Sequence, residues 1–278
     1  MLSIEATVQQ LHPINNIYYY SALFCVTVVF YTKAYIHDTS GYPSNERDIW
    51  YLNMKQFVKL SQFILTVIAF ICIVIYFLIY KTAFLKITST HLLLFFIFPF
   101  TAAMYYGIDS RYNIRKFGLL KPFIIGFCWA GIVTWYPIVV STLQTETVYS
   151  FTLVGYLLFL KNFLFISVLC IMFDIKDYAG DSRDNLNTFV VQKGLRITIF
   201  YIIIPLAIIG LMSFIYYGVT HDFHPIKIAL NMIPFILMIL AAYKLKERRN
   251  ILYYLVYVDG LMLLKGVCGT IAMTYFTF

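Results

Sequence analysis

Eight runs of mainly apolar residues, separated by short polar segments, divide the chain at about 17–37, 57–80, 91–107, 119–140, 150–173, 195–218, 225–243 and 251–275. Each comes near the roughly 20 residues that a helix needs to cross about 30 Å of hydrocarbon. Runs this long with so few charges do not suit soluble helices, which keep one polar face. The pattern predicts an all-α membrane protein, a polytopic bundle of about eight transmembrane helices forming one integral membrane domain over 1–278. The third run is the shortest and contains Pro99. Prolines inside such helices are tolerated where neighbouring groups satisfy the freed backbone.

Composition points the same way, with 61% hydrophobic, 19% aromatic and only 12% charged residues, against about 25% charged in soluble domains. The net charge of +8 could suggest a nucleic-acid partner, but the cations are gathered in short loops between apolar runs. Fourteen Lys and Arg fall in or beside the odd-numbered loops, and three, Lys81, Lys86 and Lys227, in the even ones. Cytosolic loops hold the excess of cations. The odd loops are therefore expected in the cytosol and both termini outside, with no nucleic acid bound. Residues 1–16 carry no Lys or Arg, so the first apolar run is expected to stay as a membrane helix rather than be cleaved as a signal. Cys25, Cys72, Cys128, Cys170 and Cys268 all lie in apolar runs without metal-binding spacing, and read as small buried hydrophobes.

The acids are distributed unevenly. Asp38, Glu46 and Asp48 lie in loop one, and Asp174, Asp177, Asp181 and Asp184 in loop five, directly after the run ending at Phe173. If the preceding helix continues, Asp174, Asp177 and Asp181 fall at i, i+3 and i+7 and share a face. Carboxylates beside a hydrocarbon-spanning segment repel one another and resist desolvation, so a cation, most simply a divalent metal, is expected there. The plainer reading is a solvated acidic connector. Asp259 lies within the last run, where a charge marks either a functional group or an acid captured by a nearby Tyr or Arg. Lys161 reads as a snorkelling or chain-facing group, and Lys265 is too far around the helix to pair obviously with Asp259. His221, Asp222 and His224 lack further ligands nearby.

From Asp174 to Gly194 the residues run D-I-K-D-Y-A-G-D-S-R-D-N-L-N-T-F-V-V-Q-K-G. This resembles the second aspartate-rich motif of the UbiA superfamily of intramembrane prenyltransferases, D-x-x-D-x-x-G-D-x-x-x-G-x-x-T-L-P-V-x-x-G. Asp174, Asp177, Gly180, Asp181, Thr188, Val191 and Gly194 match without a gap; Asn185, Phe189 and Val190 depart from it. Asn is the residue after Gly most tolerant of left-handed backbone, so the turn at 185 is expected to persist. The family's first motif, N-D-x-x-D-x-x-x-D, belongs in the earlier acidic loop, where Asp38, Asn45, Glu46 and Asp48 satisfy it only in part. In loop three Tyr112 and Lys116 have the family's Y-x-x-x-K spacing, with Arg115 between them. Family members commonly have nine helices, so the layout here looks like that fold without its first helix.

The resemblance implies Mg2+ held by Asp174, Asp177 and Asp181, with Asp38, Glu46 and Asp48 as further candidates, Asn45 and Asp184 beside them, and Asp259 apart. It implies a polyprenyl diphosphate contacted by Lys176, Arg183, Tyr112, Arg115 and Lys116, and transfer of the prenyl group to a lipophilic acceptor in the lipid bilayer. A bacterial cytoplasmic membrane is the location it suggests. Two other functions stay open: a catalytically degenerate isoprenoid-lipid binding or scaffold protein, and an ion-coupled transporter. The transporter would be expected to place acids at the midplane of several helices, and only Asp259 comes close.

Overall fold

The computed structural model describes residues 1–37, 46–84, 87–106, 117–145, 152–183 and 185–276, with backbone only at 34–37, 46–48 and 106. Every regular element among them is helical. In chain order these are α1 (Leu2–Gln9), α2 (Ile17–His37), α3 (Glu46–Asn53), α4 (Lys55–Ile79), α5 (Lys81–Phe84), α6 (Ser89–Tyr106), α7 (Lys121–Thr134) and α8 (Tyr136–Thr145). There follow α9 (Leu153–Lys176), α10 (Tyr178–Arg183), α11 (Phe189–Lys193), α12 (Leu195–Ile197), α13 (Ile204–Thr220), α14 (Pro225–Lys244), α15 (Ile251–Tyr253) and α16 (Gly260–Tyr275). Wider π turns at Thr198–Ile203 and Tyr254–Val258 join α12 to α13 and α15 to α16.

Six helical stretches, Lys55–Ile79, Lys121–Thr145, Leu153–Lys176, Leu195–Thr220, Pro225–Lys244 and Ile251–Tyr275, are long and apolar enough to cross a membrane. The 21-residue α2 and the 18-residue α6 occupy the two remaining apolar runs. The protein is an integral membrane protein.

The chain packs as two compact units, one of 15–87 and 143–146, the other of 1–14, 88–142 and 147–278. In the smaller unit α2 pairs with α4, and Gln62 Nε2 donates to Thr32 Oγ1 at 2.9 Å. Along α4 only Val58, Ala69 and Tyr76 are buried, while Phe57, Phe63 and Phe70 are exposed. A surface that apolar would drive aggregation in water and is matched by lipid.

The larger unit is built around α9, whose buried face carries Phe165, Leu169, Ile171 and Met172. These pack with Ile199 and Ile203 of the first π turn, Phe235 and Met238 of α14, and Tyr254 and Val258 of the second. The sequence pattern shows no element before Ile17, yet α1 is a helix packed against α16 and α7. What holds it is an internal ion cluster. Glu5 is fully buried, accepting from Lys265 Nζ at 2.8 Å through Oε2 and from Lys161 Nζ at 3.2 Å through Oε1. Asn162 Oδ1 accepts from Lys265 at 2.6 Å, and Asn231 Oδ1 and Gln9 Oε1 accept from Lys161 at 3.3 and 3.4 Å. Lys161 therefore points inward to a carboxylate and does not snorkel, because a buried ammonium is tolerable only when paired and fully hydrogen-bonded.

Candidate functional site

The acidic segment begins as the last turn of α9 and then breaks. Asp177 is the C-cap, with φ −89° and ψ 7°, after which α10 carries Asp181. This interruption separates the acids that an unbroken helix would align. Asp174 and Asp181 are buried, at 2% and 7% exposure, whereas the Asp177 side chain is 41% exposed and pairs with Lys176 Nζ at 3.1 Å. Leu186 N–H donates to the Asp181 carbonyl at 2.8 Å, closing a turn in which Asn185 takes φ +53°. The left-handed turn expected at that position is present, with Asn supplying it. Gly194, at φ +80° and ψ 161°, ends α11 in a conformation reached almost only by glycine.

Lys121, at the start of α7, completes the group. Its Nζ donates to Asp174 Oδ1 at 2.7 Å, across 53 positions of sequence. Asp181 and Tyr105 lie within electrostatic reach of the same ammonium. Asp259, set just after the π turn where its N–H donates to the Tyr254 carbonyl at 3.0 Å, acts on Cys170 together with Asp174 and Lys121. Two segments distant in sequence are locked together here. A Cβ on Gly118 would lie 2.5 Å from the Asn187 carbonyl carbon, so the approach to α7 rests directly on the backbone of the acidic segment.

From this end an aromatic ladder runs along α7 and α9. Phe189 meets Phe123 edge-on at 6.0 Å, Phe123 meets Phe163 at 6.1 Å, Phe163 lies parallel to Phe159 at 6.3 Å, and Phe159 stacks on Trp135 at 4.3 Å. Each of these rings keeps some surface accessible. The ladder starts two residues from Lys121 and one from Thr188.

Of the other residues singled out from sequence, Arg183 is exposed at the end of α10, and Lys176 reaches Asp177 and the ring of Phe173. Asp38, Asn45, Tyr112, Arg115, Lys116 and Asp184 lie outside the described residues, and Glu46 and Asp48 stand on α3 with backbone alone described. Sequence reasoning missed Lys121 as a site residue. A signal was available, since Lys121 follows Phe117 at the same spacing as Lys116 follows Tyr112, without the hydroxyl.

Among the described residues no three His, Cys, Asp or Glu side chains gather as a ready-made metal cage. Mg2+ seldom uses one; it is commonly bound by one or two carboxylates, with waters and substrate phosphates filling its shell. Asp174 and Asp181 supply two hard, buried oxygen donors, and Asp174 Oδ2 has no hydrogen-bond partner among the described residues. The donor set fits a metal shared with a phosphate ligand.

The sequence matches no family model and no curated protein. A solved structure of digeranylgeranylglyceryl phosphate synthase is similar at 16% identity, with 97% of this chain and 90% of that chain covered and a TM-score of 0.54. The two chains share an overall fold. In this fold Asp174 and Asp181 lie at and just beyond the C-terminal end of α9, the most enclosed of the long apolar helices.

Proposed function

We propose that the protein is a membrane prenyltransferase, moving a prenyl group from a polyprenyl diphosphate to a lipophilic acceptor at the group formed by Lys121, Asp174 and Asp181. The observation that carries this reading is the position of that buried, mixed-charge group at the head of the aromatic ladder. A diphosphate needs cations and hydrogen-bond donors, its isoprenoid tail needs an apolar wall, and the two lie end to end.

Asp174 and Asp181 are the residues to hold Mg2+ jointly with diphosphate oxygens, and Asp177 stands at the rim. Bound there, Mg2+ would neutralise charge developing on the leaving group. Lys121 has two N–H groups beyond its bond to Asp174 and offers them to phosphate oxygens as charge-assisted donors. Lys176 and Arg183 add positive charge at the solvent edge. When the allylic C–O bond breaks, its electron pair leaves with the diphosphate, the acceptor's nucleophile bonds to the carbon, and the proton the acceptor loses passes to the departing diphosphate or to water. Phe123, Phe163 and Phe189 line the route of the cation; each ring near a cation is worth about 0.5–2 kcal/mol. The excess of Lys and Arg in the odd loops supports a site facing the cytosol.

The test is product formation by purified protein in lipid nanodiscs with labelled geranylgeranyl or longer diphosphates, Mg2+ and an extract of lipophilic acceptors. Asp174→Asn is expected to lower turnover by about 100-fold or more, as loss of a group stabilising transition-state charge does, and Asp177→Ala to lower it as well. Turnover unaffected by both sinks the enzymatic reading. Diphosphate binding without turnover in the unmodified protein identifies the degenerate lipid-binding protein instead.

A further inference from the structure

We propose that Lys121 is an internal counter-ion that bars the site to free divalent metal and admits the metal only together with a diphosphate. The inference rests on the metal and diphosphate reading of the site. Its starting point is that Lys121 Nζ already occupies Asp174 Oδ1 at 2.7 Å, the atom a metal would seek, with the lysine 18% and the aspartate 2% exposed. Lys121 also lies in the field of Asp181.

A divalent cation entering alone, into a poorly solvated place, would press against the ammonium over the Asp174 carboxylate. A metal arriving with a diphosphate brings net negative charge. The ammonium then has somewhere to go, since its two unused N–H groups can turn to phosphate oxygens, and Asp174 is released to the metal. Asp174 Oδ2, buried and without a hydrogen-bond partner among the described residues, is the second oxygen open to that exchange. Lys121 thereby couples metal and substrate binding, and the site binds magnesium weakly in the absence of substrate.

The experiment follows Mn2+ binding to the full chain in nanodiscs by electron paramagnetic resonance, with and without methylene diphosphonate as a non-hydrolysable diphosphate. In the unmodified protein the diphosphonate is expected to tighten Mn2+ binding by roughly 5- to 150-fold, the usual span of coupling between sites. Lys121→Gln is expected to bind Mn2+ alone more tightly than the unmodified protein and to lose most of that coupling, while Lys121→Arg keeps the barrier. The unmodified protein gives an answer without any variant, since Mn2+ affinity that ignores the diphosphonate overturns the inference. Coupling retained in Lys121→Gln overturns it too. In both cases bound Mn2+ leaves the metal site itself standing, whereas no Mn2+ binding under any condition refutes the site and the inference together.

Discussion

Replacing Glu5 tests how α1 is attached to the bundle. Its carboxylate is the shared partner of Lys161 and Lys265, at 3.2 and 2.8 Å, and all three side chains are at most 4% exposed. Glu5→Ala leaves two ammoniums facing one another with, among the described residues, amide oxygens from Asn162, Asn231 and Gln9 as their remaining acceptors. Breaking a buried ion pair in this way costs about 3–5 kcal/mol, because the stranded charge keeps its desolvation penalty. At roughly 2–4 °C per kcal/mol for a chain of this size, the midpoint of thermal unfolding should fall by about 10 °C. Tryptophan fluorescence during heating in nanodiscs reads the shift directly. Neutralising the whole cluster, as Glu5→Gln with Lys161→Met and Lys265→Met, should recover most of the loss, since apolar replacements of a buried triad are often neutral or better. The pH dependence has a definite sign. Burial pushes the Glu5 carboxyl up, but Lys265 and Lys161 outweigh this and hold it below its ordinary 4.5. Its contribution is therefore complete above pH 4.5 and is lost as the pH falls through its lower folded value. Glu5→Gln should abolish that acid limb. A change in midpoint of less than about 2 °C for Glu5→Ala, under 1 kcal/mol on the same scale, would show that water solvates the cluster and that the burial argument is wrong.

Other outcomes follow from the backbone of the acidic segment. Gly118→Ala should destabilise by about 1–3 kcal/mol, the cost of overpacking, because the new methyl meets backbone atoms of Asn187 at 2.5 and 2.6 Å, which cannot rotate away. The same denaturation series should show Gly194→Ala costing roughly 1–3 kcal/mol for its φ of +80°. Asn185→Gly should be nearly neutral where Asn185→Val loses about 1–2 kcal/mol. Equal stability of the glycine and valine variants at 185 would exclude a left-handed turn there.

Much of the fold follows from local pattern. A bilayer demands runs of about 20 apolar residues, so the helix limits read from the sequence fall within a few residues of those observed for most runs, as with Ile17–His37 and Ile251–Tyr275. The left-handed turn at Asn185 was equally local, since a single residue's backbone tolerance decides it. The π turns before α13 and α16 were not legible, because one extra residue per turn leaves the apolar pattern of a membrane helix unchanged.

The partners of charged side chains were decided only by tertiary structure. Lys121 lies 53 positions from Asp174, and Glu5 lies 156 and 260 positions from Lys161 and Lys265. A charge in an apolar run announces that it needs a partner but carries no sign of which one, because pairing depends on which helix faces are brought within about 4 Å. The break at Asp177 shows the same division. Spacing assigned three acids to one stripe, and the end of α9 turned Asp174 and Asp181 inward while leaving Asp177 at the edge.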